Sequence, residues 1–108
     1  MPDIYVDPDA IPDEILDGMK ESLERRATAL QSYLGDVDFP NGARVLDIGC
    51  GTGPQSRTIA AIPGVGEVVG VDQLEPFLER GRELAVDLRN VSFEQADARD
   101  LPFDDASF

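Results

Sequence analysis

The sequence predicts an α/β fold, the first half of a doubly wound parallel sheet with helices on both faces, preceded by an N-terminal helix. Three observations carry that expectation. Short apolar segments alternate with segments of helical period in the order strand, helix, strand, helix, strand, which calls for right-handed crossovers and a parallel sheet. The first strand runs directly into a turn with glycine at alternate positions, Gly49, Gly51 and Gly53. Each strand ends in or near an aspartate, Asp47, Asp72 or Asp97, and open α/β sheets bind ligands outside the carboxyl ends of their strands.

Residues 1–11 hold Pro2 and Pro8 among aspartates and read as an extended arm. Over residues 12–34, Leu16, Met19, Leu23, Ala27, Leu30 and Leu34 recur at spacings of three and four and line one helical face. Pro12 suits the first turn, Asp13 and Glu14 complement the positive end of the helix dipole, and Gly35 is a natural stop. Residues 36–42 form a linker. Residues 44–48 read as a buried strand, because Val45, Leu46 and Ile48 place apolar groups on both faces. Residues 54–62 form a short helix with Ile59 and Ile62 inward, ended by Pro63 and Gly64. Residues 67–71 form the second strand. A helix begins near Pro76, with Phe77, Leu78, Gly81, Leu84, Ala85 and Leu88 on one stripe, and residues 91–96 form the third strand.

The chain has 108 residues, enough for one small domain that buries roughly two thirds of its unfolded surface. Nine basic residues face 22 acidic ones, for a formal charge of −13, and Lys20 is the sole lysine. Such a surface repels nucleic-acid backbones and anionic lipid, so neither is an expected partner. Arginine in place of lysine, with abundant aspartate, resembles proteins of salt-loving organisms. Self-repulsion predicts stability that rises with salt. Cys50 is the only cysteine and there is no histidine, which leaves no intrachain disulfide, no Cys/His metal site and no histidine to activate a thiol. No metal is expected. No run of ~18 apolar residues and no basic, then apolar, leader occurs, so the expected location is cytoplasmic.

The chemistry of the turn narrows its ligand. A Walker-type loop ends in Gly-Lys-Ser/Thr, whereas Pro54 and Gln55 follow Gly53. A dinucleotide fingerprint counted from Gly49 wants glycine where Pro54 stands, and it would set pyrophosphate near Asp47. A carboxylate at the mouth of the turn repels phosphate but suits a ligand carrying positive charge. Asp47-x-Gly49-x-Gly51-x-Gly53 resembles the first motif of class I S-adenosylmethionine-dependent methyltransferases, a Rossmann-like family. Leu101 to Phe108 resembles the segment that leads into the fourth strand in the small-molecule branch of that family, of the type 11 kind.

The resemblance implies S-adenosylmethionine as cofactor and a small molecule as methyl acceptor. It implies that Gly49, Cys50 and Gly51 border the methionine part, with the following helix start open to its carboxylate, and that Asp47 sits near its amino group. Asp72, about 20 residues past the turn, would accept hydrogen bonds from both ribose hydroxyls. Gln73 and Leu74 would lie along the adenosine, Asp97 would accept from the adenine amine, and the Ala98 backbone N–H would meet the ring. Arg25 and Arg26 read as solvated, with a cofactor-carboxylate contact as the alternative. Asp17, Glu21 and Glu24 read as partners in i,i+4 ion pairs.

On this reading residues 1–38 form an arm and helix, and residues 39–108 form the cofactor-binding half of a domain that stops before its fourth strand. In the family's strand order the first strand pairs with that fourth strand, so here it becomes an unpaired edge. Self-association, or a longer parent protein, is the expectation. A catalytically silent binding module and the dinucleotide-binding half of an oxidoreductase are the alternatives. No residue is assigned as general base.

Overall fold

A computed structural model describes residues 12–35 and 37–108, with the side chains of residues 26–35 outside the description. The arm at residues 1–11 and the expected inward stripe positions Ala27, Leu30 and Leu34 therefore lie outside the described structure, as does the side chain of Arg26. The elements run α1 (Asp13–Gly35), β1 (Ala43–Ile48), α2 (Pro54–Ala60), β2 (Val65–Asp72), α3 (Glu75–Leu84) and β3 (Val91–Gln95).

The three strands form one parallel sheet in the order β1-β2-β3. Val45 stands beside Val68, which stands beside Val91, and Asp47 beside Gly70, which stands beside Phe93. Side chains alternate between faces along a strand, so these two rows share one face. That face carries the core. Val68, Leu78, Ile59, Ala60, Ala85 and Phe93 are buried there, and Leu88 and Val91 join the packing of α2 to that of α3.

The sheet is flanked by helices and preceded by α1, as the α/β expectation has it. Helices α2 and α3 pack on the same face, and α1 lies against α2. The cause is topological: when successive right-handed crossovers step in one direction across a sheet, each lays its helix on the same side. Helices reach the second face only when strands are added in the opposite direction. On that second face Val69 and Val71 are nonetheless buried. The C-terminal segment reaches this side through Arg44, whose guanidinium donates to the Ser107 carbonyl at 2.7 Å and lies 5.0 Å from the Phe108 ring centroid. Phe108 in turn meets Phe103 edge to face.

Strand β1 is an edge of the described sheet. Val45 and Leu46 are half-buried and Ile48 is 52% exposed, less covered than a central strand. On α3, Leu84 is exposed in the last turn while the rest of the expected stripe is covered. No helix among the described residues is long and apolar enough to cross a membrane.

Candidate functional site

The carboxyl ends of the three strands open into a cleft of about 300 Å³. Ile48 and Gly49 line it from β1 and the turn, Val71, Asp72, Gln73 and Leu74 from the end of β2, and Ala96 and Ala98 from the chain after β3. The walls are mostly apolar, with one carboxylate.

The turn that floors the cleft holds Gly49, Gly51 and Gly53 at φ of 71°, 59° and 79°, left-handed values that cost other residues about 1 kcal/mol or more each. Its shape is fixed from β2. The N–H groups of Gly49 and Cys50 both donate to the Val71 carbonyl, at 2.8 and 2.9 Å. The Gly51 N–H donates to Asp72 Oδ2 at 2.9 Å, and the Leu74 N–H donates to Asp72 Oδ1 at 3.0 Å. Each Asp72 oxygen thus holds one backbone donor. An ionised carboxylate accepts about four hydrogen bonds, so each oxygen keeps a lone pair for a donor in the cleft.

The three glycines are bare for different reasons. A Cβ on Gly49 would meet nothing within 4 Å, which leaves open space where the cleft lies. A Cβ on Gly51 would stand 2.9 Å from Leu23 Cδ1 of α1, and one on Gly53 would stand 2.3 Å from Phe93 Cε1. Open cleft space lies beside Gly49, whereas close packing of a helix and an aromatic ring accounts for the other two.

Asp47 lies behind the turn. Strand alternation sends Ile48 toward the cleft and Asp47 to the helix-covered face, where the Ser56 hydroxyl donates to its Oδ2 at 2.6 Å. Burial pushes the Asp47 carboxyl above its ordinary value, the Ser56 hydrogen bond opposes this, and the Asp72 charge adds to the rise. Gly70 makes the arrangement possible. A Cβ there would stand 2.9 Å from Ser56 Oγ and 3.0 Å from Cys50 Sγ. The Cys50 thiol is pushed up to about 12 by burial and by the charges of Asp47 and Asp72, so it is protonated and inert as a nucleophile. Two carboxylates beside one turn make its neighbourhood negative, which favours a cationic ligand over phosphate.

Asp97 sits beside the cleft and not in its lining. Its carboxylate accepts from the Arg99 side chain, with Nη2 to Oδ2 at 2.5 Å, and from the Arg99 backbone N–H at 2.9 Å. These bonds hold it down at about 2. The arrangement is an Asx turn, and the neighbouring Ala98 supplies the cleft wall. Of the residues anticipated from the sequence, Gly49, Asp72, Gln73, Leu74 and Ala98 share the cleft. Asp47, Cys50 and Gly51 form the layer beneath it, and Asp97 flanks it.

Two acidic residues of α1 depart from the i,i+4 pairing expected of them. Asp17 meets Lys20 at 3.9 Å, one turn away. Glu24 leaves its own helix and pairs with Arg57 of α2 at 2.5 Å. Arg25 is exposed and lines a second, charged cleft with Lys20, Glu21 and Arg80. Sequence reasoning missed Ser56, Thr52, Arg57 and Gly70. Only Gly70, a glycine inside an apolar strand, carried a signal of close approach.

Residues 45–108 match the methyltransferase domain family. A curated demethylmenaquinone methyltransferase of Staphylococcus aureus is 35% identical over 88 residues, 81% of this chain and 36% of that protein. The chain therefore spans about a third of the length of the curated relatives it matches. A solved complex between the Haloferax volcanii Trm112 methyltransferase activator and a putative methyltransferase holds a similar chain, 28% identical with a TM-score of 0.76 over 95% of this chain and 44% of that one. PKMT2 from Rickettsia typhi, solved in complex with AdoHcy, is 28% identical with a TM-score of 0.52 over 63% of this chain and 14% of its own.

Proposed function

This chain belongs to the methyltransferase domain family, and from that premise we propose that it is the cofactor-binding part of an S-adenosylmethionine-dependent methyltransferase acting on a small-molecule acceptor. The observation that carries the reading is the Asp72 carboxylate at the cleft wall, with acceptor capacity left on both oxygens, in the same cleft as the bare Gly49.

The residues present fit the cofactor. Asp72 holds the vicinal ribose hydroxyls, Leu74 and Ala98 offer apolar surface to the adenine, and the bare Gly49 backbone borders the amino-acid end. Asp47 contributes negative potential from beneath the turn, and Asp97 reaches the adenine amine only in competition with Arg99. Bound there, S-adenosylmethionine supplies a methyl group on a sulfonium centre. The chain's own part is to fix that group's position and to surround it with apolar walls that keep water out. Residues 39–108 are the part we assign to the cofactor. The acceptor class is supported by the Staphylococcus aureus relative, whose name specifies demethylmenaquinone, a small molecule. The negative surface argues against nucleic acid.

Calorimetric titration with S-adenosylmethionine, S-adenosylhomocysteine and NAD in high salt tests the assignment. Binding of the first two and not the third is expected. Preference for NAD would place the chain with the dinucleotide-binding proteins instead.

A further inference from the structure

A hydrogen-bonded brace ties α1 to the middle of the glycine-rich turn. Thr52 is wholly buried, and its hydroxyl donates to Glu24 Oε1 at 2.8 Å. Arg57 is the hinge of the brace: Nη2 pairs with Glu24 Oε2 at 2.5 Å and Nη1 donates to the Thr52 carbonyl at 2.6 Å. Both oxygens of Glu24 and both polar groups of Thr52 named here are thus engaged, and Leu23, one residue before Glu24, packs on Gly51. None of Glu24, Thr52 and Arg57 lines the cleft at the strand ends, and Glu24 also lines the charged cleft beside α1.

The turn has a mechanical need for such a support. Thr52 stands between Gly51 and Gly53, both in left-handed conformations, and glycines flanking a residue leave its backbone with few steric restraints. Gly51 in turn donates to Asp72. Any drift of the Thr52 peptide therefore moves the Gly51 N–H and, through it, the Asp72 carboxylate at the cleft wall. We propose that Glu24, Arg57 and Thr52 are positioning residues through which α1 holds the turn, and with it Asp72, in the geometry that receives the ligand. The inference rests on the cofactor reading above for its consequence in binding, and on the turn alone for its consequence in backbone order.

The test uses the full chain and two readouts. Hydrogen exchange of the ligand-free protein reports the Gly51 and Gly53 amides, both hydrogen-bonded in the turn, against the β2 amides as an internal reference. Calorimetry with S-adenosylhomocysteine reports binding. Thr52→Val removes the hydroxyl at nearly constant volume, Glu24→Ala removes the carboxylate, and Thr52→Ser restores the hydroxyl. Loss of one hydrogen bond to a charged group predicts about tenfold faster exchange at Gly51 and Gly53 in Thr52→Val, and Glu24→Ala, which loses the Arg57 pair as well, exchanges at least as fast. The β2 amides keep their parent rates, and Thr52→Ser returns the turn to the parent rate. Binding weakens by about the same factor in the first two variants and recovers in the third. Unchanged exchange at the turn, or an equal rise in β2, overturns the brace. A parent chain that fails to bind S-adenosylhomocysteine while the turn amides respond as stated overturns the cofactor reading and leaves the brace standing.

Discussion

Gly53→Ala is the substitution for which the structure gives the sharpest expectation. The new methyl group would stand 2.3 Å from Phe93 Cε1 and 2.5 Å from Cζ. The ring has nowhere to retreat, because Gly70 and Gly81 approach it from β2 and α3, where an added Cβ would stand 2.9 and 3.3 Å from ring atoms. Three elements thus reach their packing distance by leaving a side chain off opposite one phenyl ring. Overpacking of this kind costs about 1–3 kcal/mol, and alanine at a φ of 79° costs about 1 kcal/mol more. The expected loss is about 2–4 kcal/mol, read by urea unfolding, with a fall in Tm of about 10–20 °C at this chain length. Pairing the substitution with Phe93→Leu should return at least ~1 kcal/mol of it, since the two changes meet at one contact. A cost below about 0.5 kcal/mol, or strict additivity with Phe93→Leu, would refute the packing explanation.

The ionisable groups around the turn give three further expectations. Because the folded carboxyl of Asp47 titrates above its unfolded value, its charge costs stability once pH rises from the unfolded value through the folded one. Asp47→Asn, which keeps an acceptor for Ser56, should therefore raise stability at pH 7 and leave it unchanged in strong acid; pH-dependent urea unfolding reads this, and destabilisation at pH 7 would contradict it. Cys50, held near 12, should resist a thiol reagent at pH 8 in the folded protein and react fully in denaturant, with rapid labelling of the folded protein as the contrary result. Arg99→Ala removes the side-chain donors and keeps the backbone N–H at residue 99, so Asp97 should rise from about 2 and stay below the ordinary carboxylate range of about 3.9. A carbon-detected NMR titration follows that change, and an unmoved Asp97 would show that another group holds it.

Most of the architecture was legible in the sequence because local pattern and global fold agree. Valine-rich runs gave β2, the stripe through Leu78 and Ala85 gave α3, and alternating glycines gave the turn. The placement of both crossover helices on one face was not legible from those patterns, since it depends on the direction in which strands are added. The cleft was partly legible. Asp72 follows from its register with the turn, whereas the face on which Asp47 stands depends on strand alternation, with Ile48 as its neighbour. Asp97 followed the same strand-end rule, and two residues later Arg99 claims its carboxylate. Glu24 was read from its own helix, but its partners Thr52 and Arg57 lie 28 and 33 residues away, a separation that no local pattern encodes.

The central claim is that Asp72 receives the ribose of an adenosyl ligand. It is tested most directly by a two-way comparison: the parent chain and Asp72→Asn, each titrated with S-adenosylhomocysteine and with its 2′-deoxy and 3′-deoxy counterparts. Hydrogen bonds to a charged group predict that removing either hydroxyl weakens binding to the parent chain by about 10- to 100-fold, with a much smaller loss in the variant. Equal losses in the two proteins would mean that the hydroxyls are held elsewhere, and the assignment of this cleft would fall.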